Sequence, residues 1–103
     1  MEANNGGLRL RVEQTGQSSP VLRVGGEVDI ATAPELNKCL DELDGNVVVD
    51  LTDVTFLDSS GIRVLVVARK QLVREGGSLT LRNPNDLVSR TLEIMGLRDW
   101  VEE

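Results

Sequence analysis

The sequence of 103 residues predicts a single α/β domain in which a mixed β-sheet is packed with α-helices. Two observations support this fold class. Near the N-terminus, apolar and polar residues alternate in two neighbouring segments, as they do in the half-buried strands of a hairpin. Later in the chain, short apolar segments alternate with helical stripes, and strands separated by helices pair in parallel through crossovers. The length favours one domain with one modest core.

The predicted hairpin follows a polar segment. Residues 1–7 contain little to bury, so we expect a flexible tail there and a folded domain over residues 8–103. Apolar residues at every second position from Leu8 to Val12 predict the first strand. A turn is expected at residues 16–20, and a second strand over residues 21–24 ends at two glycines.

The first helix is predicted to begin at Thr32. Thr32-Ala-Pro-Glu35 has the pattern of a capping box, in which the threonine hydroxyl accepts from a free N–H, and proline is tolerated in the first turn. Gly45 suits the position after the helix end. The apolar stripe of this helix has the spacing i, i+3, i+4, i+7 and consists of Leu36, Cys39, Leu40 and Leu43.

The second half of the chain repeats the alternation of strand and helix. The apolar segment 47–51 predicts a buried central strand. A second helix follows Asp58 and stops at Gly76-Gly77, and alternation around Leu79 and Leu81 predicts another strand. The turn 83–86 precedes a last helix. The inward positions of that helix are predicted to be Leu87, Val88, Thr91, Leu92 and Met95.

The composition excludes several classes of function. The sequence contains no histidine and a single cysteine, so it has no His-activated nucleophile, no His-ligated metal and no intrachain disulfide. A net charge of −6, with one Phe and one Trp, weighs against nucleic acids and anionic membranes as partners. The longest apolar run, Val64 to Ala68, is far too short to cross a bilayer. We therefore expect a soluble cytoplasmic protein that is not an enzyme and needs no metal or cofactor.

One cluster of residues stands out at the junction between the central strand and the second helix. Residues 56–62 contain Asp58, Ser59, Ser60 and Gly61, where helix N-caps are usually found. One interpretation is that these side chains only satisfy the free N–H groups of the first turn. The other is that a serine there accepts a phosphate, because a helix N-terminus attracts negative charge. The residues alone leave both interpretations open.

Other polar residues carry weaker signals. Asp29 is expected to be a solvated carboxylate when its position is considered alone. Asp50 and Asp53 follow the predicted central strand, where doubly wound folds place phospho-acceptor aspartates and magnesium sites. Solvation is favoured for them, because no acidic pair at the end of the first strand completes such a site. Cys39 is interpreted as a small core residue. The basic residues of the second helix are interpreted as a solvated face: Arg63, Arg69, Lys70 and Arg74.

Six segments together resemble the STAS domain of bacterial anti-sigma factor antagonists, and the resemblance covers the chain from about Leu8 to Trp100. The segments are Gly26-Glu-Val-Asp29, Thr32-Ala-Pro34, Val48-Val-Asp-Leu51, Val54-Thr-Phe-Leu-Asp-Ser-Ser-Gly61, Gly77-Ser-Leu79 and Met95-Gly96-Leu97. In that family an anti-sigma factor with serine kinase activity phosphorylates the first serine after the aspartate, which corresponds to Ser59 here. Binding of the unphosphorylated antagonist frees a sigma factor, and phosphorylation switches the antagonist off.

The resemblance also implies a surface and a set of partners. The partner-binding residues would be Asp29, Thr32, Asp58, Ser59, Ser60, Gly61, Ile62 and Arg63. The kinase and a PP2C-like serine phosphatase are the expected partners, and the chain would be a monomer or a weak dimer. Arg63 departs from the small residue that many relatives carry, and it could alter partner choice or pair with a phosphate on Ser59.

Two alternatives stay open beside this function. A STAS protein could instead be a structural subunit of a stress-sensing complex or of a transport ATPase. An enzyme could use Asp50 or Asp53 as a phospho-acceptor, or Ser59 as a hydrolase nucleophile, but the hydrolase lacks a base and the phospho-acceptor site lacks its acidic pair.

Overall fold

The computed structural model describes residues 2–5, 7–13 and 19–102. Within these residues the strands form one five-stranded sheet, in which the order of the strands follows the order of the chain. The elements are β1 (Glu2–Asn5), β2 (Leu8–Glu13), β3 (Val21–Val28), α1 (Ala33–Asp41), β4 (Asn46–Leu57), α2 (Ser59–Arg74), β5 (Ser78–Arg82), α3 (Asp86–Ile94) and a 3₁₀ helix (Arg98–Trp100).

The sheet is mixed, which confirms the predicted α/β fold. β1, β2 and β3 pair antiparallel, whereas β3 pairs with β4 and β4 with β5 in parallel. The two parallel pairs are connected through α1 and α2, as crossover connections require. Because both crossovers begin or end at β4, this strand lies between its two parallel neighbours at the centre of the α/β part.

The prediction that residues 1–7 form only a flexible tail is wrong for residues 2–5. These residues form β1, which pairs with β2 in the register Glu2 to Arg11 and Asn5 to Leu8. Pairing at a sheet edge uses backbone N–H and C=O groups, so it needs no apolar side chains and leaves no hydrophobic signal in the sequence. The turn predicted at residues 16–20 lies largely outside the described residues.

Two strands are longer than predicted. β3 continues through its glycines to Val28, and β4 continues past Leu51 to Leu57. The register of the β3–β4 pair shifts twice, between Arg23 and Gly25 and between Gly26 and Glu27, so β4 contains extra residues. The extra residues break the alternation of β4: Leu51, Val54 and Leu57 are all buried at a spacing of three. A strand with this spacing does not show the period of two from which strands are predicted.

One continuous hydrophobic core lies between the sheet and the helices. Its members come from β2, β3, β4, β5 and all three α-helices, together with Leu97. In α3, Val88 and Leu92 are buried as predicted, and Thr91 is partly buried. The prediction that Leu87 and Met95 also face the core is wrong, because both side chains are exposed. After α3, Trp100 packs partly against the core, and the guanidinium of Arg69 lies 4.7 Å from the centre of its ring.

No helix within the described residues is long and apolar enough to span a membrane.

Candidate functional site

The predicted site lies where β3 and β4 end and α2 begins. The N–H of Asp58 donates to the carbonyl of Val28 at 3.1 Å, which joins the start of α2 to the end of β3. Ser59 is the first residue of α2. The junction is therefore anchored to the central strands, and a group on its surface has a fixed position relative to the sheet.

Asp58 caps α2, as predicted. Its backbone is extended, and its Oδ1 accepts from the N–H of Ser60 at 2.8 Å and from the N–H of Gly61 at 3.4 Å. The first interpretation of the junction is confirmed for this aspartate, since it satisfies two free donors of the first turn.

The two serines differ in their surroundings. Ser59 is exposed, whereas Ser60 is partly buried. Among the described residues, neither hydroxyl makes a hydrogen bond to another group of the chain, whereas the Ser60 amide is held by Asp58. Ser59 therefore presents a free hydroxyl to solvent on a backbone that the cap holds in place.

Gly61 brings α2 close to the sheet. A Cβ at this position would lie 2.5 Å from Cδ1 of Leu57 and 2.6 Å from Cγ1 of Val28, which is far inside van der Waals contact. Gly61 is buried, and so is Ile62, which is only 4% exposed. Of the predicted partner-binding residues, these two support the surface from beneath, and the side chain of Ile62 does not reach it.

Thr32 has a different role from the one predicted. Its side chain makes no cap hydrogen bond to α1, and the residue is only 2% exposed. Its hydroxyl instead donates to the carbonyl of Glu27 and accepts from the N–H of Asp29, each at 2.9 Å. The capping-box prediction is therefore wrong, because the hydroxyl is used inside the loop that connects β3 to α1.

Asp29 stabilises the same loop. Its Oδ1 accepts from the N–H of Ala31 at 2.9 Å and from the N–H of Thr32 at 3.1 Å. These bonds form a compact turn, at which Ile30 is 81% exposed. Asp29 thus shapes the loop beside the Ser59 junction and is not simply a solvated carboxylate.

A groove of about 510 Å³ lies between α1 and α2 next to the serines. It is mostly apolar, with Arg63 as the charged residue on its wall. The lining residues are Ile30, Ala33, Pro34, Asn37, Ser60, Arg63, Val64 and Val67. Sequence reasoning missed Ile30 and Val67, since one belongs to a turn and the other lies on the exposed side of α2. Large exposed apolar side chains around a polar centre are typical of a surface that binds another protein.

The aspartates proposed for a phospho-acceptor site do not lie at a strand end, because β4 continues to Leu57. Asp50 is 5% exposed, and its Oδ1 accepts from the N–H and the hydroxyl of Thr52 at 2.9 and 2.6 Å. Its Oδ2 lies 3.7 Å from Nη1 of Arg23. Asp50 is therefore partnered within the sheet. Among the described residues, no group of three or more His, Cys, Asp or Glu side chains is arranged to hold a metal ion.

Cys39 is buried in α1 as a free thiol, in agreement with its predicted place in the core. Burial, with a smaller contribution from the negative charge of Glu42, raises the pKa of this thiol. A thiol of raised pKa is a poor nucleophile at neutral pH, so Cys39 does not contribute chemistry to the junction.

Comparisons with known proteins agree with the fold and point to a common family. The STAS domain model matches residues 9–102. The chain is similar to the anti-sigma-B factor antagonist of Staphylococcus aureus strain NCTC 8325, with 34% identity over 97 residues that cover 89% of this chain and 90% of the relative. It is 33% identical over 84 residues to the anti-sigma-B factor antagonist of Bacillus subtilis strain 168, covering 79% of this chain and 77% of the relative.

Solved structures show the same fold. The unphosphorylated anti-sigma factor antagonist SpoIIAA superposes with a TM-score of 0.76 at 20% identity, covering 90% of this chain and 85% of that chain. An anti-sigma factor antagonist from Mycobacterium paratuberculosis gives a TM-score of 0.76 at 27% identity, covering 91% of this chain and 82% of that chain.

Proposed function

Because the chain belongs to the STAS domain family, we propose that it is an anti-sigma factor antagonist whose binding is switched off by phosphorylation of Ser59. Unphosphorylated, it binds an anti-sigma factor with serine kinase activity and so frees a sigma factor. A serine phosphatase restores the binding form. The observation that carries this proposal is the exposed Ser59 hydroxyl on the capped N-terminus of α2.

The geometry favours Ser59 over Ser60 as the phosphorylated residue. Ser59 is exposed and its hydroxyl has no partner among the described residues, so a kinase can reach it without unfolding the helix. Ser60 is partly buried on the wall of the groove. A phosphate on Ser59 also lies near the free N–H groups and the positive end of α2, which stabilise negative charge.

The surface around Ser59 has the features of a binding face. Ile30 and the groove provide apolar area on one side of the serine. Asp29 and Asp58 support this face through backbone hydrogen bonds rather than through side chains that point freely into solvent. The face is therefore formed before the partner binds, which limits the ordering cost of association.

A phosphate in the middle of this face weakens binding without a change of fold. It adds about −1.5 to −2 charges, and burying them without full pairing is unfavourable. A loss of about 3 kcal/mol of binding free energy weakens binding more than a hundredfold. This is enough to change the chain from mostly bound to mostly free at ordinary protein concentrations. The proposed role requires no catalytic group on this chain.

Incubation with anti-sigma factor kinases and ATP tests the proposal. Mass spectrometry of the peptide spanning residues 56–63 should place one phosphate on Ser59. Ser59→Ala should abolish the modification and Ser60→Ala should retain it. No phosphate on Ser59 with any of these kinases, or phosphate found on Ser60 in the unsubstituted chain, would overturn the proposed switch.

A further inference from the structure

Arg63 is one of four arginines of the described chain for which no ion pair, hydrogen bond or ring contact is found; the others are Arg9, Arg74 and Arg90. Of these four, only Arg63 lies within one turn of Ser59. It is exposed on α2, one turn after Ser59, and no carboxylate in the described residues pairs with it. Elsewhere, Arg23 pairs with Glu13 and Asp50, and Arg82 pairs with Glu102. The guanidinium of Arg69 lies over the Trp100 ring.

The sequence of α2 leaves Arg63 without an acidic neighbour on its own helix. The positions three and four residues away are Ser59, Ser60, Val66 and Val67. The helix contains four basic residues, and no acidic residue occurs in its first turn. The one carboxylate at the helix start, Asp58, is already used to accept backbone N–H groups. The start of α2 therefore holds one unpaired cation beside the residue that we propose to be phosphorylated.

On the basis of the proposed function, we propose that Arg63 is the intramolecular counter-ion of the phosphate on Ser59. Residues at i and i+4 on a helix have Cβ atoms about 5–6 Å apart, well within the reach of an arginine side chain. The order is also the favourable one, with the negative group N-terminal to the positive group. A guanidinium can bind two phosphate oxygens at once, which makes it a better partner for this group than an ammonium.

The pairing has a consequence for the groove between α1 and α2. Arg63 lines this groove together with Ser60. Ser59 is not itself a lining residue, so a phosphate on it lies beside the groove rather than inside it. When Arg63 turns toward that phosphate, its guanidinium changes position on the groove wall, so phosphorylation also alters the surface that the groove presents to a partner.

The test measures the second pKa of the phosphate by ³¹P NMR titration of the full chain. Phosphoserine is placed at position 59 during synthesis with an expanded genetic code, so no kinase is needed. Arg63 should lower this pKa from its usual value of about 6, because a nearby cation favours the dianion. Arg63→Gln should raise it by about 0.3 unit, as expected for an exposed pair at i, i+4.

Matched variants separate the pair from general charge effects. Arg74→Gln removes the same charge from the same helix at a position about 22 Å from Ser59 along the helix axis, and it should leave the pKa of the phosphate unchanged. Arg63→Lys should keep most of the shift, since it keeps the charge. All variants retain the carboxylates of the elements around the junction, which are Asp58 at the N-cap of α2, Asp29 in the loop after β3 and Glu35 in the first turn of α1.

The proposal is overturned if Arg63→Gln leaves the pKa of the phosphate unchanged, or if Arg74→Gln shifts it equally. The outcome does not depend on the kinase. A chain that no anti-sigma factor kinase phosphorylates would contradict the proposed function, while the titration would still decide the role of Arg63.

Discussion

Gly61→Ala tests whether the close packing of α2 against the sheet is required for the stability of the domain. In an ordinary helix interior, alanine in place of glycine stabilises by about 0.5–1 kcal/mol. Here the added methyl would lie 2.5 Å from Leu57 and 2.6 Å from Val28, and both of these side chains are buried. Overpacking of this kind costs about 1–3 kcal/mol. We therefore expect a net loss of about 1–2 kcal/mol.

Urea unfolding followed by the fluorescence of the single tryptophan, Trp100, measures this loss. A loss of that size lowers the midpoint by about 1 M, given the slope typical of small domains. Val28→Ala provides the control, because it removes Cγ1 of Val28, one of the two methyl groups that the new Cβ would meet, and leaves Cδ1 of Leu57 in place. Its cost should be at least about 1 kcal/mol smaller in the Gly61→Ala background than in the unsubstituted chain. A Gly61→Ala chain as stable as the parent would refute the close packing.

Three further predictions concern the junction and the core. Asp58→Ala should cost about 1 kcal/mol of unfolding free energy through loss of the cap, whereas Asp58→Asn should cost only a few tenths; equal losses in urea titrations would argue against capping. Thr32→Val should cost about 1–3 kcal/mol, because the carbonyl of Glu27 and the N–H of Asp29 lose their partner. Thr91→Val should stay within about 0.5 kcal/mol, because the Thr91 hydroxyl donates only to the carbonyl of Leu87, which lies in the same helix. Since burial raises the pKa of the Cys39 thiol, the folded chain keeps its proton to higher pH than the unfolded chain does. The free energy of unfolding should therefore fall as the pH rises above about 8.5, the pKa of the thiol in the unfolded chain. Cys39→Ala should remove the part of this decrease that comes from the thiol. Parallel curves of unfolding free energy against pH for the two chains between pH 7 and 10 would contradict the prediction.

The elements that the sequence predicted well are those whose signals are local. Asp58 lies directly before an apolar helical stripe, and an N-cap needs only the side chain and the first turn that follows it. The predicted turn 83–86 likewise leads directly into α3, and within it Asn85 is the N-cap, whose Oδ1 accepts from the N–H of Val88. The hairpin follows from the alternation of apolar and polar residues, and the parallel crossovers follow from the order of strands and helices along the chain.

The features that the sequence did not predict depend on contacts between distant segments. Strand β1 depends on a neighbouring strand edge, and the far half of β4 depends on bulges set by its pairing with β3. Thr32 is a local exception: its sequence has the capping pattern, but its hydroxyl donates to the carbonyl of Glu27, five residues earlier, because the loop between β3 and α1 folds back. The groove exists only because α1 and α2 meet, so Ile30 and Val67 carry no signal of it in the sequence.

The most direct test of the proposed switch is the affinity of the chain for its anti-sigma factor with and without a phosphate on Ser59. Isothermal titration calorimetry on the two forms, each shown by its circular dichroism spectrum to be folded, gives both dissociation constants. We predict binding by the unphosphorylated chain and an affinity at least about a hundredfold lower for the phosphorylated one. Equal affinities for the two forms would contradict the proposed switch.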